Sequence, residues 1–158
     1  MSGSACCQGF IDSGTPTGTE TEIGKIACYV ADHSSHPKTA IVVLTDIFGF
    51  RTPNPRLIAD GLAETCECQV YVPDLFDGKE VAGSLMTNME VATGPDSSIL
   101  SKIGSYLGAA SSFVPFMLRN RISVSLDRTK IVIQELRSSG VDTILLVGYC
   151  WGGKLGDC

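Results

Sequence analysis

The segment Val141-Asp142-Thr143-Ile144-Leu145-Leu146-Val147-Gly148-Tyr149-Cys150-Trp151-Gly152-Gly153 passes without a break from an apolar run into a turn where one cysteine stands between glycines. Ile144 to Val147 reads as a buried strand, because a continuous apolar run suits a strand covered on both faces. A cysteine held on a sharp strand-to-helix turn brings the backbones two residues before and two residues after it close together, so those positions must be small. Gly148 and Gly152 satisfy that demand, with Gly153 following. Pattern alone is weak: with 17 glycines in 158 residues, a given cysteine is flanked this way by chance about 1% of the time, or about 8% over seven cysteines. The plain alternative is a tight glycine turn around an inert thiol, and the choice rests on what precedes it.

Working back towards the N-terminus, Ser125 to Ser138 has helical spacing, with Ile131, Ile133 and Leu136 on roughly one side and Gly140 at its end. Ser97 to Leu107 is a second helical segment, and Phe113, Phe116 and Met117 read as core contacts. The stretch from Asp77 to Pro95, with Gly78, Gly83 and Gly94, reads as an irregular surface excursion. Gln69 to Leu75 is a strand by its Val70-Tyr71-Val72 run, ended by Pro73 and Asp74. Before it, Asn54 and Pro55 open a helix to Glu67 that places Leu57, Ile58, Leu62 and Cys66 at helical spacing. Ala40-Ile41-Val42-Val43-Leu44 is a further buried-type strand. Strand, helix, strand is a βαβ unit and implies parallel pairing. Ile23 to Val30 puts Ile26, Cys28 and Val30 on one face, and the turn around Pro37 predicts a hairpin with Thr39 to Thr45. Residues 1–22 read as a loosely ordered lead-in to a domain over 23–158. The expected class is α/β, a mainly parallel sheet flanked by helices, with strands near 23–30, 39–46, 69–75 and 141–147.

Composition narrows the partners. A chain that is 44% hydrophobic and 18% charged with a net charge of −5 is globular and lacks the basic face that nucleic acid requires. No apolar run reaches 18 residues, and Met1 to Phe10 lacks a signal-peptide layout, so no membrane partner is expected and the expected compartment is cytoplasmic. There the seven cysteines stay mostly as thiols. Cys6 and Cys7 are adjacent, Cys66 and Cys68 lack the two-residue gap of a zinc pair, and His33 and His36 lie in a polar turn. No metal site is expected.

Three stretches in order, Leu44-Thr45-Asp46-Ile47-Phe48-Gly49, Val72-Pro73-Asp74-Leu75-Phe76 and Gly148-Tyr149-Cys150-Trp151-Gly152-Gly153, resemble the dienelactone hydrolase family over residues 20–153, with the Cys6-Cys7 pair also found in some eukaryotic members. The resemblance implies a partial α/β-hydrolase fold with a cysteine at the nucleophile elbow and the opening of a small-molecule ester or lactone with no cofactor. It makes Cys150 the nucleophile and the backbone N–H groups of Ile47 and Trp151 the oxyanion hole. Gly148, Gly152 and Gly153 complete the elbow. Asp46 stands where the family usually has a glutamate facing the resting thiol, one methylene shorter. Lys79 lies near where the family can hold a substrate carboxylate, although an exposed loop lysine is the better reading. The family's triad runs nucleophile, acid, histidine, while only eight residues follow Cys150, with Asp157 as their sole acid and no histidine. A C-terminally truncated hydrolase, inactive alone, is therefore expected, with Val141 to Val147 left as an apolar edge through which copies could self-associate. A non-catalytic binding or regulatory fragment, and a redox-sensing thiol protein using Cys150 with Cys158 as partner, are the alternatives.

Overall fold

In the computed structural model the described residues are 13–81, 85 and 98–155. Five strands form one sheet in the order β1-β2-β4-β3-β5. They are β1 (Thr19–Ile23), β2 (Ile26–Asp32), β3 (Thr39–Leu44), β4 (Gln69–Pro73) and β5 (Thr143–Gly148). Helix α1 (Pro53–Cys66) joins β3 to β4; α2 (Ile99–Arg119) and α3 (Ile122–Ser138) lie between β4 and β5, and α4 (Trp151–Leu155) follows β5. The parallel centre is β4-β3-β5. Strand β3 pairs with β5 from Thr39 opposite Thr143 to Leu44 opposite Gly148.

The β-branched run of β3 is covered on both faces, as its composition predicts. Ala40, Val42 and Leu44 join Phe116 of α2, Val132 and Leu136 of α3 and Leu155 of α4 in one core cluster. Ile41 and Val43 point the other way, onto Ala59 and Ala63 of α1. The period of two sends alternate residues to opposite faces, so a strand that feeds two cores must be apolar throughout.

The hairpin lies elsewhere than expected. Strands β2 and β3 are not paired; β4 lies between them, antiparallel to β2 and parallel to β3. The hairpin is β1 with β2, Ile23 opposite Ile26, around Gly24 (φ 58) and Lys25 (φ 65). Two consecutive left-handed residues make the tight turn whose twist matches the strands it joins. Ordered strand therefore begins at Thr19, within the stretch read as lead-in, and Ile23 to Val30 is two strands. The loop with His33 and His36 is instead tied to the end of α1, where the N–H groups of Ser35 and His36 donate to the Glu67 carbonyl at 3.0 and 3.2 Å.

Helix α2 also runs well past Leu107, through Gly108 and Pro115 to Arg119. Pro115 cannot donate to the Ser111 carbonyl, and the Ser111 and Ser112 hydroxyls turn back to the Gly108 carbonyl at 2.8 and 3.3 Å. Of the three expected core residues here only Phe116 is buried; Phe113 and Met117 are 41% and 47% exposed. One narrow face of α2 meets the core, and the neighbours of Phe116 in sequence point away from it. Gly83, Gly94 and Pro95 of the expected excursion, the Cys6-Cys7 pair, Asp157 and Cys158 lie outside the described residues.

Candidate active site

The turn after β5 is shaped by contacts that leave no room for side chains at two of its three glycines. A Cβ at Gly152 would overlap the Leu44 carbonyl oxygen at the end of β3, and one at Gly148 would lie 2.5 Å from the Gly152 carbonyl oxygen. Gly153 differs: its Cβ would come no closer than 3.5 Å to anything but its own surroundings. Cys150 between them has φ 51, the left-handed conformation that costs a residue with a Cβ roughly 1–2 kcal/mol. Such strain persists only where the surroundings over-determine it. They do so here: the Tyr149 N–H donates to the Leu44 carbonyl at 3.0 Å, and the Gly152 N–H is shared between the Thr45 and Tyr149 carbonyls at 3.0 and 2.8 Å. Residues on both sides of Cys150 are thus bonded to Leu44 and Thr45, immediately before Asp46 and Ile47. The Cys150 side chain is exposed.

Ile47 and Trp151 occupy the two loops that meet at this end of the sheet. The Ile47 carbonyl accepts from the Val81 N–H at 2.9 Å. Among the described residues no acceptor takes the backbone N–H of Ile47 or of Trp151. The indole of Trp151 is fixed by its Nε1–H, which donates to Ser125 Oγ at 3.2 Å. Its ring packs edge-on against Phe76 and Phe116, centroids 6.0 and 5.4 Å away.

Asp46 is half-buried and uses Oδ1 to accept the Phe48 N–H at 2.9 Å. Burial pushes its carboxyl up from the ordinary value, and the Phe48 bond opposes that only in part. A carboxyl whose pKa is raised on folding is at home when protonated, so its contribution is complete at low pH and is lost as pH rises through the folded value. Asp46→Asn, which keeps the acceptor for Phe48, should therefore raise the melting temperature at pH 7. That gain should shrink to nothing as pH falls below 3.8, the ordinary value. Thermal melts of both proteins from pH 3 to 8 check this; a gain independent of pH would show that the charge is not its source.

Lys79 is exposed and pairs with Asp77 at 2.8 Å. Beside the Asp46 turn a cavity of about 460 Å³ is lined by Phe48, Arg51, Thr52, Pro53, Gly78, Glu80 and Val81, and Cys150 is not part of its wall. His33 and His36 precede Thr39, whereas Cys150 follows Gly148, the partner of Leu44. The length of β3, roughly 16 Å at about 3.3 Å per residue, separates the two ends. Among the described residues no group of three or more His, Cys, Asp or Glu is placed to hold a metal ion, and no helix is long and apolar enough to cross a membrane.

A parallel-centred sheet with helices on both faces, and a cysteine on a left-handed turn between β5 and α4, is a partial α/β-hydrolase fold. Residues 26–156 match the sequence model of the dienelactone hydrolase family, and the chain belongs to that family. It is 32% identical over 155 residues to hydrolase tropI of Talaromyces stipitatus and 31% identical over 156 residues to hydrolase pyvD of Aspergillus violaceofuscus, covering 96% of this chain and 54% of each relative. It is 29% identical over 138 residues to the human carboxymethylenebutenolidase homolog, covering 86% of this chain and 46% of that protein. The chain spans about half the length of these curated relatives.

Proposed function

We propose that this chain carries the nucleophile side of a carboxylic ester or lactone hydrolase, with Cys150 attacking the carbonyl carbon and the N–H groups of Ile47 and Trp151 receiving the developing oxyanion. The observation that carries the reading is Cys150 at φ 51, between two glycines that only hydrogen can occupy, on the turn docked against the end of β3. The names of the relatives, two hydrolases and a carboxymethylenebutenolidase homolog, support an ester or lactone as substrate. Asp46 is the acid beside the thiol, its second carboxylate oxygen being the one not used by Phe48. The reading includes a cytosolic site of action, consistent with the free thiols of Cys28, Cys66, Cys68 and Cys150.

Attack forms the C–S bond as the thiol proton goes to solvent, collapse of the tetrahedral intermediate breaks the C–O bond, and the alkoxide or enolate leaves with the electron pair and is protonated by solvent. Neither histidine is at the right end of the sheet to accept the thiol proton or to activate water, so the chain by itself stops at the acyl-cysteine. Intact-protein and peptide mass spectrometry after exposure to an activated ester tests the assignment: one acyl group on Cys150 is expected. Acylation confined to the exposed Cys66, or none at all, sinks it.

A second reading concerns association. Among the described residues β5 is the edge of the sheet, and its successive residues Leu145 and Leu146, on opposite faces, are 52% and 46% exposed. A bare apolar edge of this kind templates pairing with another strand. We infer that copies of the chain self-associate through β5. Sedimentation velocity should find an average mass that rises with concentration and falls back to monomer in Leu145→Lys; equal masses for the two proteins would reject this route.

A further inference from the structure

The geometry points to Ser125 as a positioning residue for the oxyanion hole, acting through the Trp151 indole; the inference rests on the reading of Cys150 as nucleophile. Ser125 lies in the first turn of α3 and is 1% exposed. Its hydroxyl accepts the Trp151 Nε1–H at 3.2 Å and donates to the Leu75 carbonyl at 3.4 Å. A hydroxyl can do both at once, which a methyl or a carboxylate cannot. The helix turn holding it is itself fastened to the end of β4, because Arg128 Nε–H donates to the Asp74 carbonyl at 2.7 Å. Thr129 Oγ–H donates to the Ser125 carbonyl at 2.9 Å.

Trp151 is the first residue of α4. The direction of its N–H depends on what holds the residue. Three elements hold the Trp151 ring: Phe76 after β4, Phe116 on α2 and Ser125 on α3. The two phenylalanines fix the plane of the indole, their own rings meeting edge-on at 5.2 Å. Ring contacts still allow sliding and rotation in the slot. The single directional bond is the one to Ser125, so it sets the position of the ring along the slot and with it the backbone next to Cys150. An N–H shifted by a fraction of an ångström from the developing oxyanion loses much of its value in the transition state and almost none in the ground state.

Two reactions of the same thiol separate this role from a merely structural one. With p-nitrophenyl acetate the sulfur attacks a carbonyl carbon, the oxygen takes up charge, the C–S bond forms, and p-nitrophenolate leaves with the electron pair of the broken C–O bond. With iodoacetamide the sulfur displaces iodide from a saturated carbon and no oxyanion forms; in both cases the thiol proton goes to solvent. The single-turnover rate constant of each reaction is measured on the full chain, less the same measurement on Cys150→Ala, which removes the other cysteines from the reading. Ser125→Ala should slow acylation about 10-fold and leave alkylation within about 2-fold. Trp151→Phe, which keeps the ring and the backbone N–H but lacks the indole donor, should do the same. The double variant should be no slower than either single one, since both remove one bond. Should Ser125→Ala fail to fold, Trp151→Phe carries the same ratio test. Equal losses in acylation and alkylation, or unchanged acylation, overturn the role of Ser125. If Cys150→Ala releases nitrophenolate as fast as the unmodified chain, the nucleophile assignment itself falls, and the two failures are told apart.

Discussion

Replacing Gly152 by alanine is expected to abolish the folded state, or to lower its melting temperature by 15 °C or more. The added methyl would occupy the space of the Leu44 carbonyl oxygen and lie 2.7 Å from Leu44 Cβ. Neither is the free end of a side chain. Leu44 is the last residue of β3 and one of the least exposed in the core. Relief requires moving β3 or dragging α4 away from it, which breaks the Gly152 N–H bonds to Thr45 and Tyr149. Overpacking of this kind costs about 1–3 kcal/mol where side chains can adjust and more where backbone must move. A domain has only about 5–15 kcal/mol in total. Gly148→Ala, 2.5 Å from the Gly152 carbonyl oxygen, should come next in severity. Gly153→Ala is the internal control: its methyl would meet only ordinary contacts beginning at 3.5 Å, and removing a helical glycine contributes up to about 1 kcal/mol of stability. Circular-dichroism melts of the three variants check the order. A Gly153→Ala protein as damaged as Gly152→Ala would mean that the turn responds to helix chemistry rather than to the approach of β3.

The same steric demand explains why the turn was legible in the sequence. A constraint that admits only hydrogen leaves glycine at a fixed distance from the cysteine, and the apolar run before it says which element it ends. The two-sided burial of β3 was legible for a similar reason, since five consecutive apolar residues cannot serve one face alone. The β1–β2 hairpin was not, because its turn is Gly24-Lys25, and a lysine at φ 65 advertises no left-handed conformation as asparagine or aspartate would. Chain order then made β3 the natural partner of β2, whereas parallel insertion of β4 displaced it. Phe113 and Met117 carry the same hydrophobicity as Phe116, and only the direction of α2 decides which of them meets Phe76 and Trp151. Ser125 left no trace at all. It is a polar residue in a helix with many others, and its partner Trp151 is 26 residues away in sequence. Nothing local marks a hydroxyl that works by bridging a distant indole and a distant backbone carbonyl.

Mixed with an excess of activated ester, the chain should release close to one equivalent of leaving group in a Cys150-dependent burst and then fall to the rate of the Cys150→Ala variant. On the proposed reading the elbow supplies what one attack needs: an exposed Cys150 and two N–H groups with no acceptor among the described residues. Removal of the acyl group is a different problem, because water must lose a proton as it attacks and a positioned base contributes about 10² to 10⁴-fold to such a step. The chain has two histidines, and both precede β3 in the loop whose Ser35 and His36 N–H groups donate to the Glu67 carbonyl. Asp46 is closer in the fold, but one of its oxygens is occupied by the Phe48 N–H. Imidazole added to the solution offers the base from outside and should raise turnover after the burst, again only with Cys150 present. Nitrophenolate release followed in stopped flow, with and without imidazole, on the chain and on Cys150→Ala, decides the matter. Sustained multiple turnovers without imidazole that vanish in the variant would place an effective base at Cys150 that this arrangement does not contain, and a burst equal in both proteins would move the chemistry to another cysteine.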